Sequence, residues 1–198
     1  MKKIIIATKN RGKAKEFETM FTKYNIQAVS LLDLDNDIPD VEETGSTFKE
    51  NAALKAEEIS RLLETPVLAD DSGLVIDALN GRPGIYSARY AGEPKDDKAN
   101  VEKVLAELKE VPEENRSARF VCVLAVAIPG EKTLFRTGYC EGKIQRQPRG
   151  ENGFGYDPIF VPKDYDRTMA ELAPQEKNNI SHRKNAIVQL EDWLKSLS

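Results

Sequence analysis

The sequence predicts a mixed α/β fold. Short apolar runs alternate with segments of helical periodicity along the 198 residues, a pattern that is typical of α/β proteins. Two long β-type runs, 119–128 and 134–143, are separated by Pro129-Gly130 and predict an antiparallel hairpin. Because this hairpin stands among strand–turn–helix units, we expect a sheet that is not all parallel.

The first part of the chain predicts alternating strands and helices. The predicted elements are a strand at 2–7, a turn at 10–12, a helix at 13–24, a strand at 27–31 and an acidic loop at 32–45. Thr47 and Glu50 have the spacing of a capping box, which predicts the start of a helix that runs to residue 63. A buried strand at 66–69 follows it.

The second part adds turns, the hairpin and shorter helices. We expect a further strand at 74–78, a turn at 80–84 and a helix at 96–109. Thr168 and Glu171 form a second capping-box pattern, and Ser181 is a suitable cap for a final helix. That helix carries its apolar residues on one side, at Ile187, Leu190, Trp193 and Leu194.

Length and composition exclude several classes of protein. A chain of 198 residues suits a single domain, 1–198, or two tightly joined lobes without a linker. The net charge is −4 and the lysines are scattered, which argues against nucleic acid as the main ligand. The apolar stretch near the N-terminus is too short for a signal peptide or a membrane span, so we expect a cytoplasmic protein without membrane contact. Cys122 and Cys140 lack metal-ligand spacing and are predicted to be reduced, buried thiols.

Asp70 and Asp71 are the first candidates for chemistry. They follow the apolar run 66–69 and precede Ser72-Gly73, so we expect them at the carboxyl end of a buried strand, where ligand sites of open α/β sheets lie. Two carboxylates beside a core are costly unless a cation shares their place, which makes Mg²⁺ the first cofactor to consider. A turn in which Asp and Ser bind nearby backbone is the structural alternative.

The turn at 8–13 is a candidate for binding anions. It joins the first predicted strand to a helix, so its N–H groups, assisted by Lys13, are placed to hold phosphate oxygens. No Walker A or Gly-x-Gly-x-x-Gly pattern occurs in the sequence, and many turns of this composition are purely structural.

The segment 42–55 combines acidic and basic side chains. Glu42-Glu43 offers a carboxylate to a metal bound by Asp71, although a solvated acidic loop is the simpler explanation. Asn51 and Lys55 lie one helical turn apart and share a face, which suits either a polyphosphate or plain solvation.

Two segments near the C-terminus are candidates for binding a base. Residues 153–158 hold two glycines and two aromatic rings, which suits a stacked nucleobase or a tight bend packed with aromatics. His182 is the only histidine and stands between Ser181 and Arg183 at a predicted helix start. Donors at such a place converge on an anion or on carbonyl oxygens. The simpler interpretation of a single histidine is a packed or surface residue.

Six motifs in this order resemble the inosine triphosphate pyrophosphatase family, also called XTP/dITP diphosphatases. They cover nearly the whole chain, at 7–13, 42–45 with Asn51 and Lys55, 70–74, 84–89, 153–158 and 181–183. Each motif is weak by itself, whereas six in the right order are very specific. One departure stands out, because Lys9 occupies a position where many relatives have glycine or another small residue.

The resemblance implies an activity and an architecture. The activity is Mg²⁺-dependent hydrolysis of a noncanonical purine nucleoside triphosphate, ITP, dITP or XTP, to the monophosphate and pyrophosphate. The implied fold is an elongated, two-lobed α/β fold with a central mixed β-sheet flanked by helices and an active-site cleft between the lobes. A homodimer is implied as well.

The resemblance also implies roles for single residues. Asp71, supported by Asp70, is expected to be catalytic, and Glu42 and Asp71 are expected to hold the metal. The residues expected around the phosphates are Thr8, Lys9, Asn10, Arg11, Gly12, Lys13, Lys55, Ser72 and Lys177. Those expected around the base are Phe154, Gly155, Tyr156, Asp157, His182 and Arg183.

Two other classes of function stay open on the residues alone. Glycoside hydrolysis by a carboxylate pair such as Glu42 and Asp71 needs no metal and leaves the lysines unexplained. A nucleotide- or RNA-binding module that stacks bases on Phe154 and Tyr156 predicts binding without turnover. An assay with and without EDTA separates the glycosidase from a metal-dependent hydrolase.

Overall fold

The protein contains a mixed six-stranded sheet with helices around it. The structure, a computed structural model, describes residues 2–34 and 38–197. The sheet order is β2-β1-β3-β4-β5-β6, with β1 (Lys2–Ile6), β2 (Ile26–Ser30), β3 (Val67–Ile76), β4 (Ser117–Ala127), β5 (Leu134–Ile144) and β6 (Phe160–Pro162). Strand β1 pairs in parallel with β2 and β3, whereas β5 and β6 are antiparallel. The predicted mixed α/β class is confirmed.

The predicted hairpin and helices lie close to their expected positions. Strands β4 and β5 are neighbours, and the connection 128–133 is too short for a parallel crossover, so they form the antiparallel hairpin. The α-helices of the described residues are α1 (Arg11–Thr22), α2 (Phe48–Leu63), α3 (Asp97–Glu107), α4 (Pro174–Ile180), α5 (His182–Ile187) and α6 (Glu191–Leu197). None of the described helices is both long and apolar enough to cross a membrane.

The two predicted capping boxes form, each of them only in part. The Thr47 side chain accepts a hydrogen bond from the Glu50 N–H at the start of α2. The Glu50 carboxylate reaches back to Ser46 and not to Thr47, so half of the expected capping box is present. At the second box, the Thr168 N–H donates to the Glu171 carboxylate at 2.7 Å, whereas the Thr168 hydroxyl donates to the Arg149 carbonyl. Here too half of the box is present, at the start of a single 3₁₀ turn.

Asp70 and Asp71 lie inside a strand, and their predicted position at a strand end is wrong. Strand β3 continues through them to Ile76 because Leu74 and Ile76 are fully buried in a core, which outweighs the turn preference of Ser72-Gly73. The neighbouring parallel strand β1 ends at Ile6, which pairs with Leu68. Both aspartates therefore lie just beyond the carboxyl end of β1.

The chain divides into two compact units. Unit 1 comprises 1–71, 122–138 and 186–198, and unit 2 comprises 72–121 and 139–185. The expected single domain of 1–198 stays a prediction.

The core of unit 1 packs β1 and α1 against the C-terminal helices. Phe17 and Phe21 of α1 are fully buried in it, together with Ile4 and Ile6 of β1. The predicted final helix is divided into α5 and α6 by a 3₁₀ turn, Val188–Leu190. Its apolar side is confirmed, since this core also holds Ile187, Leu190 and Leu194, with Trp193 packed against it.

The core of unit 2 forms around the end of β3, α3 and β5. Buried Arg116 ties α3 to β5, because its guanidinium donates to the carbonyl oxygens of Leu108 at 2.6 Å and Ile144 at 2.9 Å. Leu108 is the C-cap of α3 and Ile144 is the last residue of β5. The buried guanidinium is thereby satisfied by carbonyl groups at the end of a helix and at the end of a strand.

Two further expectations concern cysteines and the acidic loop. Cys122 and Cys140 are buried thiols that form no disulfide, as predicted. The expected loop at 32–45 begins with a short 3₁₀ turn, Leu31–Asp33, and residues 38–45 have no regular structure. Its central residues 35–37 lie outside the described residues.

Candidate active site

An acidic cluster forms in unit 1 where α1 and α2 meet β3. Its members are Lys13, Glu43, Lys55, Asp70 and Asp71. The Lys13 ammonium lies 2.5 Å from Asp70 Oδ1, and the Lys55 ammonium lies 2.9 Å from Glu43 Oε1 and 3.5 Å from Asp71 Oδ1. Consecutive strand residues point to opposite faces, which explains why the two aspartates have different lysines.

The Asp70 carboxylate is held from two sides. Its side chain is fully buried, and besides Lys13 it accepts a hydrogen bond from the Cys122 thiol at 3.3 Å. A carboxylate in this position compensates the Lys13 charge and fixes the ammonium. No pattern in the sequence indicates this contact of Cys122, which lies in the distant strand β4.

The Asp71 carboxylate is less well compensated. The residue is 5% exposed, and its Oδ2 has no hydrogen-bond partner among the residues that the structure describes. Burial raises the pKa of Asp71 to about 6, with smaller increases from Glu43 and Asp70, whereas Lys55 and Lys13 act to lower it. This carboxyl therefore exchanges its proton near neutral pH and is suited to a cation or to proton transfer.

Lys55 stays charged despite its burial. Burial lowers the pKa of Lys55, but the charges of Asp71, Glu43 and Asp70 raise it by more, so that the net pKa is raised. An ammonium group is therefore present at neutral pH beside Asp71.

Glu43, and not Glu42, is the member of the glutamate pair that the structure brings to Lys55. Glu42 is exposed and makes no hydrogen bond or ion pair with any described residue. Neither glutamate lies in a segment with helix or strand periodicity, so the sequence does not indicate which of the two contacts Lys55. The metal-binding role expected for Glu42 stays a prediction.

The turn that follows β1 lies where the sequence predicts it, but its Lys9 contacts a protein loop in place of the expected phosphate. The Asn10 side chain caps α1 by accepting from the Lys13 N–H at 3.0 Å, and the Asn10 N–H donates to Thr8 Oγ1. The Lys9 ammonium turns to the acidic loop, where it donates to the Ile38 carbonyl at 2.7 Å and lies 2.8 Å from Asp40. Arg11 and Gly12 form the first residues of α1.

Asp157 and Lys177 lie beside the Phe154 ring in unit 2, and we call these three residues the aromatic cluster. The Lys177 ammonium donates to Asp157 Oδ2 at 2.6 Å and lies 4.6 Å from the centre of the Phe154 ring. The same carboxylate oxygen accepts the Phe154 N–H at 3.1 Å. Lys177, which the resemblance implies for phosphate, thus contacts the residues expected around the base.

Several contacts fix the backbone that carries Phe154. Gly153 and Gly155 have φ values of +73° and +61°, and a Cβ at Gly153 would overlap the Asp157 carboxylate. The Gly155 N–H donates to Asp97 at 2.8 Å, and the buried Tyr156 hydroxyl donates to the Ser87 carbonyl at 2.6 Å. Sequence reasoning missed Asp97 and Ser87, which are far away along the chain.

His182 and Arg183 are buried in unit 2 at the start of α5. The His182 ring stacks on Phe120 with a centroid distance of 5.0 Å. Arg183 Nη2 donates to Ser72 Oγ at 3.0 Å, so that Arg183 contacts the residue that directly follows Asp71. Ser181 caps this helix through the Lys184 N–H, as expected.

The chain matches a known protein family over almost its whole length. A model of the Ham1 family matches residues 4–193. The chain belongs to the Ham1 family. The resemblance inferred from the six sequence motifs is thereby confirmed.

The relatives of this Ham1 family member are similar from end to end. It is 67% identical over 197 residues to the dITP/XTP pyrophosphatase of Oceanobacillus iheyensis, with 100% of both chains covered. It is 60% identical over 194 residues to the dITP/XTP pyrophosphatase of Geobacillus kaustophilus, covering 98% of this chain and 95% of that protein. A solved structure, the Ham1 protein of Staphylococcus aureus, is 48% identical with a TM-score of 0.86 and 100% of both chains covered.

The raised pKa of Asp71 predicts a pH-dependent stability difference in the metal-free Ham1 family member. Between pH 4 and 6 the folded state holds a proton that the unfolded chain has released, so its contribution to stability is complete below pH 4 and is lost as the pH rises through about 6. The loss amounts to about 3 kcal/mol. Asp71→Asn removes it, so the variant should gain stability relative to wild type across this window.

Urea unfolding in EDTA at a series of pH values between 4 and 7 measures this difference. The exposed Asp166 supplies the matched control, Asp166→Asn, which should follow wild type. If Asp71→Asn and wild type gave parallel curves, the raised pKa would be refuted.

Proposed function

We propose that this chain hydrolyses dITP, XTP and ITP to the nucleoside monophosphate and pyrophosphate, with Mg²⁺ as cofactor. The observation that carries the proposal is the full-length identity of 67% with a dITP/XTP pyrophosphatase, supported by a second at 60%. The chain is accordingly an enzyme of the hydrolase class. Its acidic cluster, with Asp71 buried beside Lys55, is the kind of site that such a reaction requires.

The acidic cluster fits a divalent cation. Asp71 Oδ2 is buried without a hydrogen-bond partner among the described residues, and carboxylate oxygens are the ligands that Mg²⁺ prefers. No three His, Cys, Asp or Glu side chains within 2–34 and 38–197 are grouped to hold a metal by themselves. This agrees with the usual binding of Mg²⁺ by one or two carboxylates together with substrate phosphates. Asp71 would hold the ion with a carboxylate of the Glu42-Glu43 pair.

The side chains of the acidic cluster have separate roles in hydrolysis. Release of pyrophosphate requires water to attack the α-phosphorus in line with the leaving group. Lys13 and Lys55 bind phosphate oxygens and stabilise the negative charge that develops on the leaving group. Asp71 accepts the proton of the water. Bound Mg²⁺ would lower the pKa of this carboxyl from about 6, would lower the pKa of the water as well, and would neutralise charge on the triphosphate.

The aromatic cluster is suited to recognise the purine. Phe154 offers a half-buried ring for stacking, and His182 and Arg183 supply donors. A 6-oxo purine accepts hydrogen bonds from such donors, whereas the 6-amino group of ATP leaves them unpaired. Sites organised around a substrate hydrogen bond reject a mismatched analogue by about 10⁴-fold.

Three wider features belong to the same proposal. We propose that the protein acts as a homodimer in the cytoplasm, with a nucleoside triphosphate as its substrate and neither nucleic acid nor membrane as a partner. Its role would be to cleanse the nucleotide pool and so prevent incorporation of altered purines into DNA and RNA. Sedimentation of the purified protein tests the dimer.

Product analysis tests the activity most simply. Purified protein is incubated with dITP, XTP, ITP, GTP and ATP, with Mg²⁺ or with EDTA, and the released phosphate species are identified. We expect pyrophosphate from dITP and XTP, very little turnover of ATP, and no turnover in EDTA. Asp71→Asn should fold and lose turnover. Orthophosphate as the first product, or full activity in EDTA, would contradict the proposal.

Removal of the Phe154 ring should weaken substrate binding. Loss of base stacking costs about 1 to 3 kcal/mol, so the KM for dITP should rise roughly 5- to 150-fold in Phe154→Ala. Phe135→Ala is the matched control, because Lys49 lies over the Phe135 ring at 4.7 Å in unit 1 without any proposed contact to the base. An unchanged KM in Phe154→Ala, or an equal rise in Phe135→Ala, would count against stacking.

A further inference from the structure

We propose that Lys9 is a positioning residue that fixes the acidic loop, defined here as residues 38–46, and that it does not bind substrate phosphate. The inference rests on the proposed function, since this loop carries Glu42 and Glu43. It departs from the expectation for Lys9 that the family resemblance implied.

The contacts of Lys9 attach one end of the acidic loop. Its ammonium donates to the Ile38 carbonyl at 2.7 Å and pairs with Asp40 at 2.8 Å, so it binds backbone and side chain of the same segment. Ile38 itself is buried. The backbone of the neighbouring Thr8 is fixed by the end of β1, because its N–H donates to Ile6 and its carbonyl accepts from Leu31. Lys9 therefore extends from a rigid position.

The other end of the acidic loop is attached to α2. The buried Asn51 side chain accepts the Gly45 N–H at 2.8 Å, and the Glu50 carboxylate accepts the Ser46 N–H at 2.6 Å. Only residues 41–44 lie between the two attachments, and Glu43 reaches Lys55 from there. The position of Glu43 thus depends on both ends of the loop.

The charge of the segment explains why it needs an external cation. Residues 33–43 carry acidic side chains and no lysine or arginine, the acids being Asp33, Asp35, Asp37, Asp40, Glu42 and Glu43. Like charges repel, so a loop of this composition extends into solvent unless cations from other elements hold it. Lys9 supplies one at Asp40, and Lys55 supplies another at Glu43.

The effect of Lys9 should be local. The Asp40 side chain is 88% exposed and that of Lys9 is 41% exposed, and ion pairs this open to solvent contribute little to global stability. Lys9→Met should therefore fold normally while the acidic loop becomes mobile, which allows the loop to be tested in an intact protein.

The test compares loop motion with anion binding in metal-free, nucleotide-free protein. The variants are Lys9→Met, Lys9→Arg and Asp40→Asn. Lys15→Met is the matched control, because Lys15 is an exposed lysine of α1 whose side chain makes no hydrogen bond or ion pair with any described residue. Nitrogen-15 relaxation gives the backbone order parameters of Val41 and Glu43, and calorimetry gives the affinity for inorganic tripolyphosphate.

We expect the order parameters to fall from about 0.85 to below about 0.6 in Lys9→Met. They should recover in Lys9→Arg, fall less in Asp40→Asn, and stay at the wild-type level in Lys15→Met. The tripolyphosphate affinity should fall no further in Lys9→Met than in Lys15→Met, which removes the same charge.

An acidic loop that stays rigid in Lys9→Met would overturn the proposal, as would a selective loss of tripolyphosphate affinity in that variant. Both measurements are made without substrate turnover, so they stand whether or not wild-type protein releases pyrophosphate from dITP. Failure of the proposed function would appear only in that product analysis.

Discussion

Two adjacent carboxylates buried in one strand are the constraint on which the site depends. Asp70 and Asp71 face opposite sides of β3, and each requires its own compensation in a poorly hydrated environment. Asp70 has it in Lys13 and Cys122, whereas among the described residues Asp71 pairs only with a lysine at 3.5 Å that it shares with Glu43. Burial, which the nearby lysines do not fully offset, gives the Asp71 carboxyl its raised pKa, and its Oδ2 has no hydrogen-bond partner among the described residues.

The fold maintains this arrangement by letting β3 extend beyond its neighbour. Because β1 ends at Ile6, the aspartates lie beside the turn that starts α1, and Lys13 reaches Asp70 from the first turn of that helix. Burial of Leu74 and Ile76 keeps β3 extended through Asp70 and Asp71, although aspartate is depleted in strands. In unit 2 a buried carboxylate also positions the groups around it. Asp157 accepts hydrogen bonds from the Phe154 N–H and from the Lys177 ammonium.

Local patterns predicted the elements well, and long-range contacts explain most of the differences. Helix α2, the hairpin and the buried side of the C-terminal helices follow from capping, turn residues and periodicity, which act within a few residues. The end of β3 was placed wrongly because Ser72-Gly73 resembles a turn until the core around Leu74 is known. The sequence could not show the contacts of Cys122 and Asp97, because their partners lie far away in the chain. Motif order, by contrast, identified the family without any of these contacts.

The pKa of the Asp71 carboxyl tests this interpretation most directly. Carbon-13 NMR of protein labelled at the aspartate carboxyl carbons, assigned by comparison with Asp71→Asn, measures its titration midpoint. We expect a midpoint near 6 in metal-free protein and a lower one in excess Mg²⁺, because a cation stabilises the charged form. A midpoint at the ordinary aspartate value without metal, or one that Mg²⁺ does not change, would contradict the central role given to Asp71.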